Sequence, residues 1–156
     1  MLALLTGVMT AVFTTLFKSW GDRLISLDIQ EDLRQGVEKM MRDLRLAQAI
    51  ASSNDAIRYT VRENGVNNSY IFYLYHPSDT WPPLYTQNVY QLKKATLSGG
   101  IGGTFTYGSG SLYMKTVKPP PVSDLSSVGT VITADLTVAK YNETFRLLEK
   151  IRPRNL

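Results

Sequence analysis

Apolar and polar positions follow three different rhythms along the 156-residue chain. Residues 1–17, MLALLTGVMTAVFTTLF, contain no charge at all. Residues 18–53 are rich in charge and free of proline, and here Ile29, Leu33, Val37, Met40, Leu44 and Ala47 recur at steps of three or four. That spacing predicts an amphipathic helix with one apolar stripe. Asp32, Glu38, Arg42 and Arg45 fall largely off the stripe as a polar flank. Gly36 is the weak position, since glycine inside a helix costs about 1 kcal/mol relative to alanine. Between Phe17 and Lys18 nothing would end a helix, and Trp20-Gly21 is the only soft spot. One continuous rod over residues 2–52 is therefore expected, roughly 75 Å long. Its stop is Ser52-Ser53-Asn54-Asp55, whose side chains compete for backbone hydrogen bonds.

From Asn54 onward the period changes to two. Ile57, Tyr59 and Val61 alternate with Arg58, Thr60 and Arg62, the mark of a half-buried strand. Asn64-Gly65 supplies hairpin chemistry. SYIFYLY (69–75) reads as a more central partner strand because polar alternation is weak. HPSDTWPP is a loop, and LYTQNVYQLKKATL fits either a strand or a short helix. SGGIGG is expected to be a flexible link, SLYMKTV a short strand, and KPPPVSDLSSVG an exposed extended loop. TVITADLTVAK alternates through Ile132, Ala134, Leu136 and Val138, and FRLLEKIR should return antiparallel with Phe145, Leu147 and Ile151 on one face. The expected fold class is α+β: a long N-terminal helix (1–53) on an antiparallel sheet head (54–156) of four or five strands. A head of roughly 100 residues cannot bury so long a rod, so about half should project.

Three roles compete for the apolar start. A cleaved secretory signal needs a basic leader and a small-residue cleavage site, and neither is present. A buried core helix needs a head large enough to wrap it. A membrane anchor is the remaining simple reading, although seventeen residues span roughly 26 Å against about 30 Å of hydrocarbon. Ala3, Gly7 and Ala11 form a small-xxx-small series that would let helix backbones approach closely. Thr6, Thr10 and Thr14 form a second stripe at the same interval, and both stripes are also ordinary composition for a membrane helix.

Charge and residue inventory narrow the function classes. Of the net +4, residues 1–56 contribute −1 and residues 57–156 contribute +5. The chain has no cysteine, hence no disulfide or thiolate metal site, and its single histidine, His76, sits in a proline-rich loop. No Gly-x-Ser-x-Gly, phosphate-binding loop or metal-ligand spacing occurs, so an enzyme is not expected. No cofactor is implied; Asp124 and Asp135 are the candidates for touching a calcium ion, weighed against solvated loop aspartates. Lys93, Lys94, Arg146, Lys150, Arg152 and Arg154, interleaved with Tyr and Phe, are a candidate nucleic-acid patch, weighed against a solvated strand face.

An apolar start continuous with an amphipathic helix, followed by a basic β-rich head, resembles a type IV pilin or a type II secretion pseudopilin. The resemblance sharpens at LDIQEDLRQGVEKMMRDLRLAQAI (27–50), which is similar to the helix of W-type minor pilins and J-type minor pseudopilins with their "MxRDLRxA" segment, here Met40 to Ala47. The ending Lys150-Ile151-Arg152-Pro153-Arg154-Asn155-Leu156 is similar to that family's Arg-Asn close. The family's basic leader, cleavage glycine and fifth-position glutamate do not stand here, since position 5 is Leu. Met1 is then expected to be an internal methionine with those features upstream; the alternative is a subunit that lacks the glutamate. What the resemblance implies is a pilin-like fold and a structural, minor subunit. It would wait in the bacterial inner membrane with its head in the periplasm, then enter a helical filament with other pilin or pseudopilin subunits, driven by a separate cytoplasmic ATPase. In that filament Ala3, Gly7 and Ala11 would set the closest helix approach, while Ile29, Leu33, Val37, Met40 and Leu44 would belong to the head's own core. The alternatives are a membrane-anchored periplasmic binding module and a DNA-binding pilus component.

Overall fold

The computed structural model describes residues 2–140 and 143–155, with the side chains of residues 2–11, 22 and 25 outside the description. Helix α1 runs over Leu2–Arg45. Eight strands follow: β1 (Ala49–Ser53), β2 (Ala56–Glu63), β3 (Val66–Tyr75), β4 (Tyr90–Thr96), β5 (Ser111–Val117), β6 (Asp124–Val128), β7 (Val131–Lys140) and β8 (Glu143–Ile151). All pairings are antiparallel, and the class is α+β.

Turn chemistry sets the register of the first strands. Asn54 and Asp55 both take φ near 52°, and Asn64 and Gly65 take 51° and 83°. Two consecutive left-handed residues make the tight hairpin turns whose twist matches that of the flanking strands. They place Ser53 opposite Ala56 and Glu63 opposite Val66. With β2 registered, Ile57, Tyr59 and Val61 turn to one face and are buried there.

The sheet runs β1-β2-β3-β4-β5-β7, with β6 and β8 both pairing β7. Between β5 and β7 the register holds only at Val117 and Val138, supplemented by Lys118 N–H donating to the Thr137 carbonyl at 2.7 Å. So thin a junction lets the sheet curl. The far strand β6 comes back toward β1, where the Ser127 amide and hydroxyl both reach the Ser52 hydroxyl, at 3.1 and 2.9 Å. Inside the curl lies the second half of α1: Ile29, Leu33, Val37, Met40 and Leu44 are each at most 5% exposed. They pack with Tyr59, Phe72, Leu92, Met114, Leu136 and others in one core cluster. A smaller cluster of Tyr73, Ile71, Ala95 and Leu97 covers the opposite sheet face, under Trp81, Phe105 and Tyr107.

Several expectations are corrected. The helix stops at Arg45 rather than near residue 52. Leu46 and Ala47 amides close onto the Asp43 and Leu44 carbonyls, the tightened last turn of a helix end, and the Arg154 amide donates to the Arg45 carbonyl at 3.2 Å. Residues 49–53 leave the helix because the Asn54-Asp55 turn offers them the edge of β2, and a ladder satisfies their backbone groups equally well. Among the described residues the sheet has eight strands, not four or five, since β1 and the polar β6 are short and lack a strong alternating pattern. KPPPVSDLSSVG (118–129), expected as an exposed loop, thus contributes β6. SGGIGG is no loose link either: Ser98 and Thr104 pair, and the Arg58 guanidinium donates to the carbonyls of Ile101 and Gly103 at 3.2 and 2.7 Å.

The membrane anchor is corrected as well, and with it the single-pass inner-membrane placement. Among the described residues no helix is long and apolar enough to cross a membrane. The described apolar side chains run only from Val12 to Phe17 before Lys18, and Arg23 and Asp28 follow within three turns.

Candidate functional site

A run of exposed apolar side chains lies on α1 ahead of its buried stripe. Val12, Phe13, Leu16, Phe17, Trp20, Leu24 and Leu27 are between 52% and 72% exposed, and no described side chain before Ile29 is buried. Phe13 and Phe17 stack one turn apart with ring centroids 6.5 Å from each other. Helical spacing explains the contact, because residues four apart sit one above the other on one face. Where the two halves of the helix meet, the Asp28 carboxylate accepts from Lys140 Nζ on β7 at 3.1 Å, an exposed ion pair at the mouth of the curl.

By charge alone the apolar start ends at Phe17, and everything from Lys18 reads as one amphipathic segment. Trp20, Leu24 and Leu27 were hidden by that division, because Lys18, Arg23 and Asp28 lie among them. The signal that finds them is spacing: 13, 17, 20, 24 and 27 advance by four and three in strict alternation. Of the positions expected to pack in a membrane or filament, Ala3, Thr6, Gly7, Thr10 and Ala11 lie outside the described side chains, and Thr14 is exposed on the helix.

The second half of the helix is fixed to the sheet by Asp43. Its Oδ2 accepts from Lys94 Nζ on β4 and from the Tyr113 hydroxyl on β5, both at 2.7 Å. Lys94 also lies over the Tyr70 ring, 4.3 Å from its centroid. Burial, then the hydrogen bond to Asp43, pushes the Tyr113 hydroxyl well above its ordinary pKa, so it stays a donor. A second anchor is Asp79 in the loop before β4. It accepts from the amides of Thr80, Leu84 and Tyr85 and, at 2.8 Å, from the Tyr90 hydroxyl. Burial raises its pKa, but these four donors outweigh it and the net shift is downward.

The six cations considered for nucleic acid are not brought together. Lys93 and Lys94 sit on β4, Arg146 and Lys150 on β8, and two strands of the sheet separate them. Lys94 is bound to Asp43, while Lys93 points to the other sheet face, over the Tyr75 ring and bonded to the Gly108 carbonyl. Arg146 makes a two-pronged pair with Asp135. Arg152 and Arg154 are exposed beyond β8 near the end of α1. The two candidate calcium ligands are cross-strand partners, Asp124 on β6 opposite Asp135 on β7. Asp135 is occupied by Arg146, and the Asp124 carboxylate accepts from the Ser126 hydroxyl. Among the described residues no group of three or more possible ligands converges on a metal site.

A groove of about 670 Å³ lies between α1 and β8, floored by Val37, Met41 and Leu147 and rimmed by Arg42, Arg45 and Glu149. It offers mixed polarity and no convergent reactive group. Compared with protein-family models, curated proteins and solved structures, the chain matches none.

Proposed function

We propose that this chain is a structural subunit of a helical filament, built on the pilin plan. In this reading the fold is pilin-like, the first half of α1 projects from the head, and neighbouring copies cover it. One observation carries the proposal: among the described side chains, a single helix passes from an exposed apolar face, Val12 to Leu27, to a buried stripe from Ile29 onward. Exposed apolar area costs about 25 cal/mol per Å². Contiguous patches of this kind on a monomer mark a surface meant for a partner. Stacking subunits by a repeated head-to-tail operation covers every interior helix and leaves the heads outside. By likeness to the W-type and J-type subunits, this would be a minor component; that part rests on analogy.

The test is electron microscopy of the full chain as detergent is withdrawn. Filaments are expected, with Gly7→Leu lowering their yield while the circular dichroism of the sheet stays unchanged. A chain that remains a monodisperse monomer in plain buffer would overturn the proposal.

A further inference from the structure

The exposed face of α1 has more order than a greasy patch requires. Phe13, Phe17, Trp20, Leu24 and Leu27 fall at alternating steps of four and three, the a/d seam of a coiled coil over two heptads. In this register Phe17 and Leu24 occupy a, while Phe13, Trp20 and Leu27 occupy d. At about 100° per residue the seam lies about 160° around the helix from the stripe Ile29, Leu33, Val37, Met40 and Leu44. The head therefore grips one side of the rod and leaves the seam facing away from it. Leu16 flanks the seam at g, and Val12 lies off it at c.

The charges beside the seam identify its occupant. In the same register Arg23 is a g position and Asp28 is the following e position, five residues on. In a parallel, in-register pair each g residue meets the partner's next e residue. Arg23 of one copy would thus meet Asp28 of the other, twice by symmetry. Asp28 is exposed and uses only Oδ2 toward Lys140, which leaves its other oxygen for a second donor. An antiparallel pair would align g with g, so Arg23 would face Leu16 or a second Arg23 and Asp28 would lose its partner. Carried back along the sequence, the register passes through Thr10, Thr6 and Ala3. Three aromatic and two leucine side chains per chain amount to roughly 1,000 Å² buried between two copies, about what a specific interface needs.

We infer that two copies of this chain pair in parallel and in register through Phe13, Phe17, Trp20, Leu24 and Leu27, with the heads on opposite outer sides. This goes beyond the filament reading and does not depend on it, since a filament operation shifts neighbours along the axis whereas this pair has no shift. The absence of any native cysteine makes the test clean. Full-length variants carrying a single cysteine at Leu27 (d), Trp20 (d) or Ser19 (c, off the seam) are oxidised with copper phenanthroline. Leu27→Cys and Trp20→Cys should each give covalent dimer at least five-fold faster than Ser19→Cys. In an equal mixture of the two seam variants, 27–27 and 20–20 links should dominate over 20–27 links. Leu24→Asp in the native background should move the sedimenting species to monomer while the circular dichroism of the head is kept. Equal crosslinking at all three sites, or dominance of the 20–27 link, would overturn the inference. Filaments with 20–27 links would retain the filament reading and remove the pair; in-register dimers that never lengthen would do the reverse.

Discussion

Gly36 offers the sharpest check on how α1 is held. In an isolated helix, replacing this glycine by alanine should stabilise by about 1 kcal/mol, because alanine has less backbone freedom to lose. Within this fold the added Cβ would stand 2.4 Å from Met114 Cγ, 3.0 Å from its Sδ and 3.1 Å from the Tyr113 carbonyl oxygen. Met114 is itself nearly fully buried, so its side chain has little room to retreat, and Tyr113 is held between Leu112 and Met114, both paired with β4. Overpacking of this kind costs about 1–3 kcal/mol. The 2.4 Å approach puts this site in the upper part of that range, about 2–3 kcal/mol, so against the propensity gain of about 1 kcal/mol the net prediction for Gly36→Ala is a loss of about 1–2 kcal/mol. In thermal unfolding that is a fall of about 2–8 °C for a chain of this size. Urea unfolding followed by circular dichroism measures it directly. Adding Met114→Ala should make the two changes non-additive by at least about 1 kcal/mol, since removing Cγ and Sδ makes room for the new methyl. A neutral or stabilising Gly36→Ala, or strict additivity, would show that helix and sheet do not approach as closely as described.

Two further predictions concern charge. Asp43→Ala should cost about 2–3 kcal/mol in urea unfolding, because it strips Lys94 and Tyr113 of a charge-assisted acceptor in a part-buried site; a loss under about 0.5 kcal/mol would mean that the helix is held by packing alone. The Asp135 carboxyl is held below its ordinary pKa by hydrogen bonds from Arg146, opposed by burial and aided by the arginine's charge. A lowered folded-state pKa means a contribution present in full above the unfolded value, about 3.9, and lost as pH falls through the folded one. Asp135→Asn should therefore flatten the decline in urea midpoint below about pH 4, and an unchanged slope would refute that assignment.

The surface of α1 and the fate of the membrane expectation bear on each other. An uncharged start invites a lipid reading, but the described helix carries its exposed aromatic and leucine side chains past Lys18, among Arg23 and Asp28. Charges spaced like these flank an apolar seam without interrupting it, which suits a partner helix with its own charges better than hydrocarbon.

Local elements whose residues all point one way can be read directly along the chain. The stripe from Ile29 to Leu44, the alternation of Ile57, Tyr59 and Val61, the Asn64-Gly65 turn and the inward set on β7 were all legible, because periodicity and turn chemistry act within a few residues. Tertiary structure alone decided where the helix ends and how many strands there are. Residues 49–53 have composition that suits either state, and only the neighbouring edge of β2 makes them a strand. The same holds for β6, which exists because β7 is beside it, and for Gly36, a weak point in the helix pattern that is a requirement of contact with β5. Asp43, Lys94 and Tyr113 are 51 and 70 residues apart along the chain, so no local pattern could join them. Long-range contacts are set by the curl of the whole sheet around the helix, and that closure becomes visible only once every strand is in place.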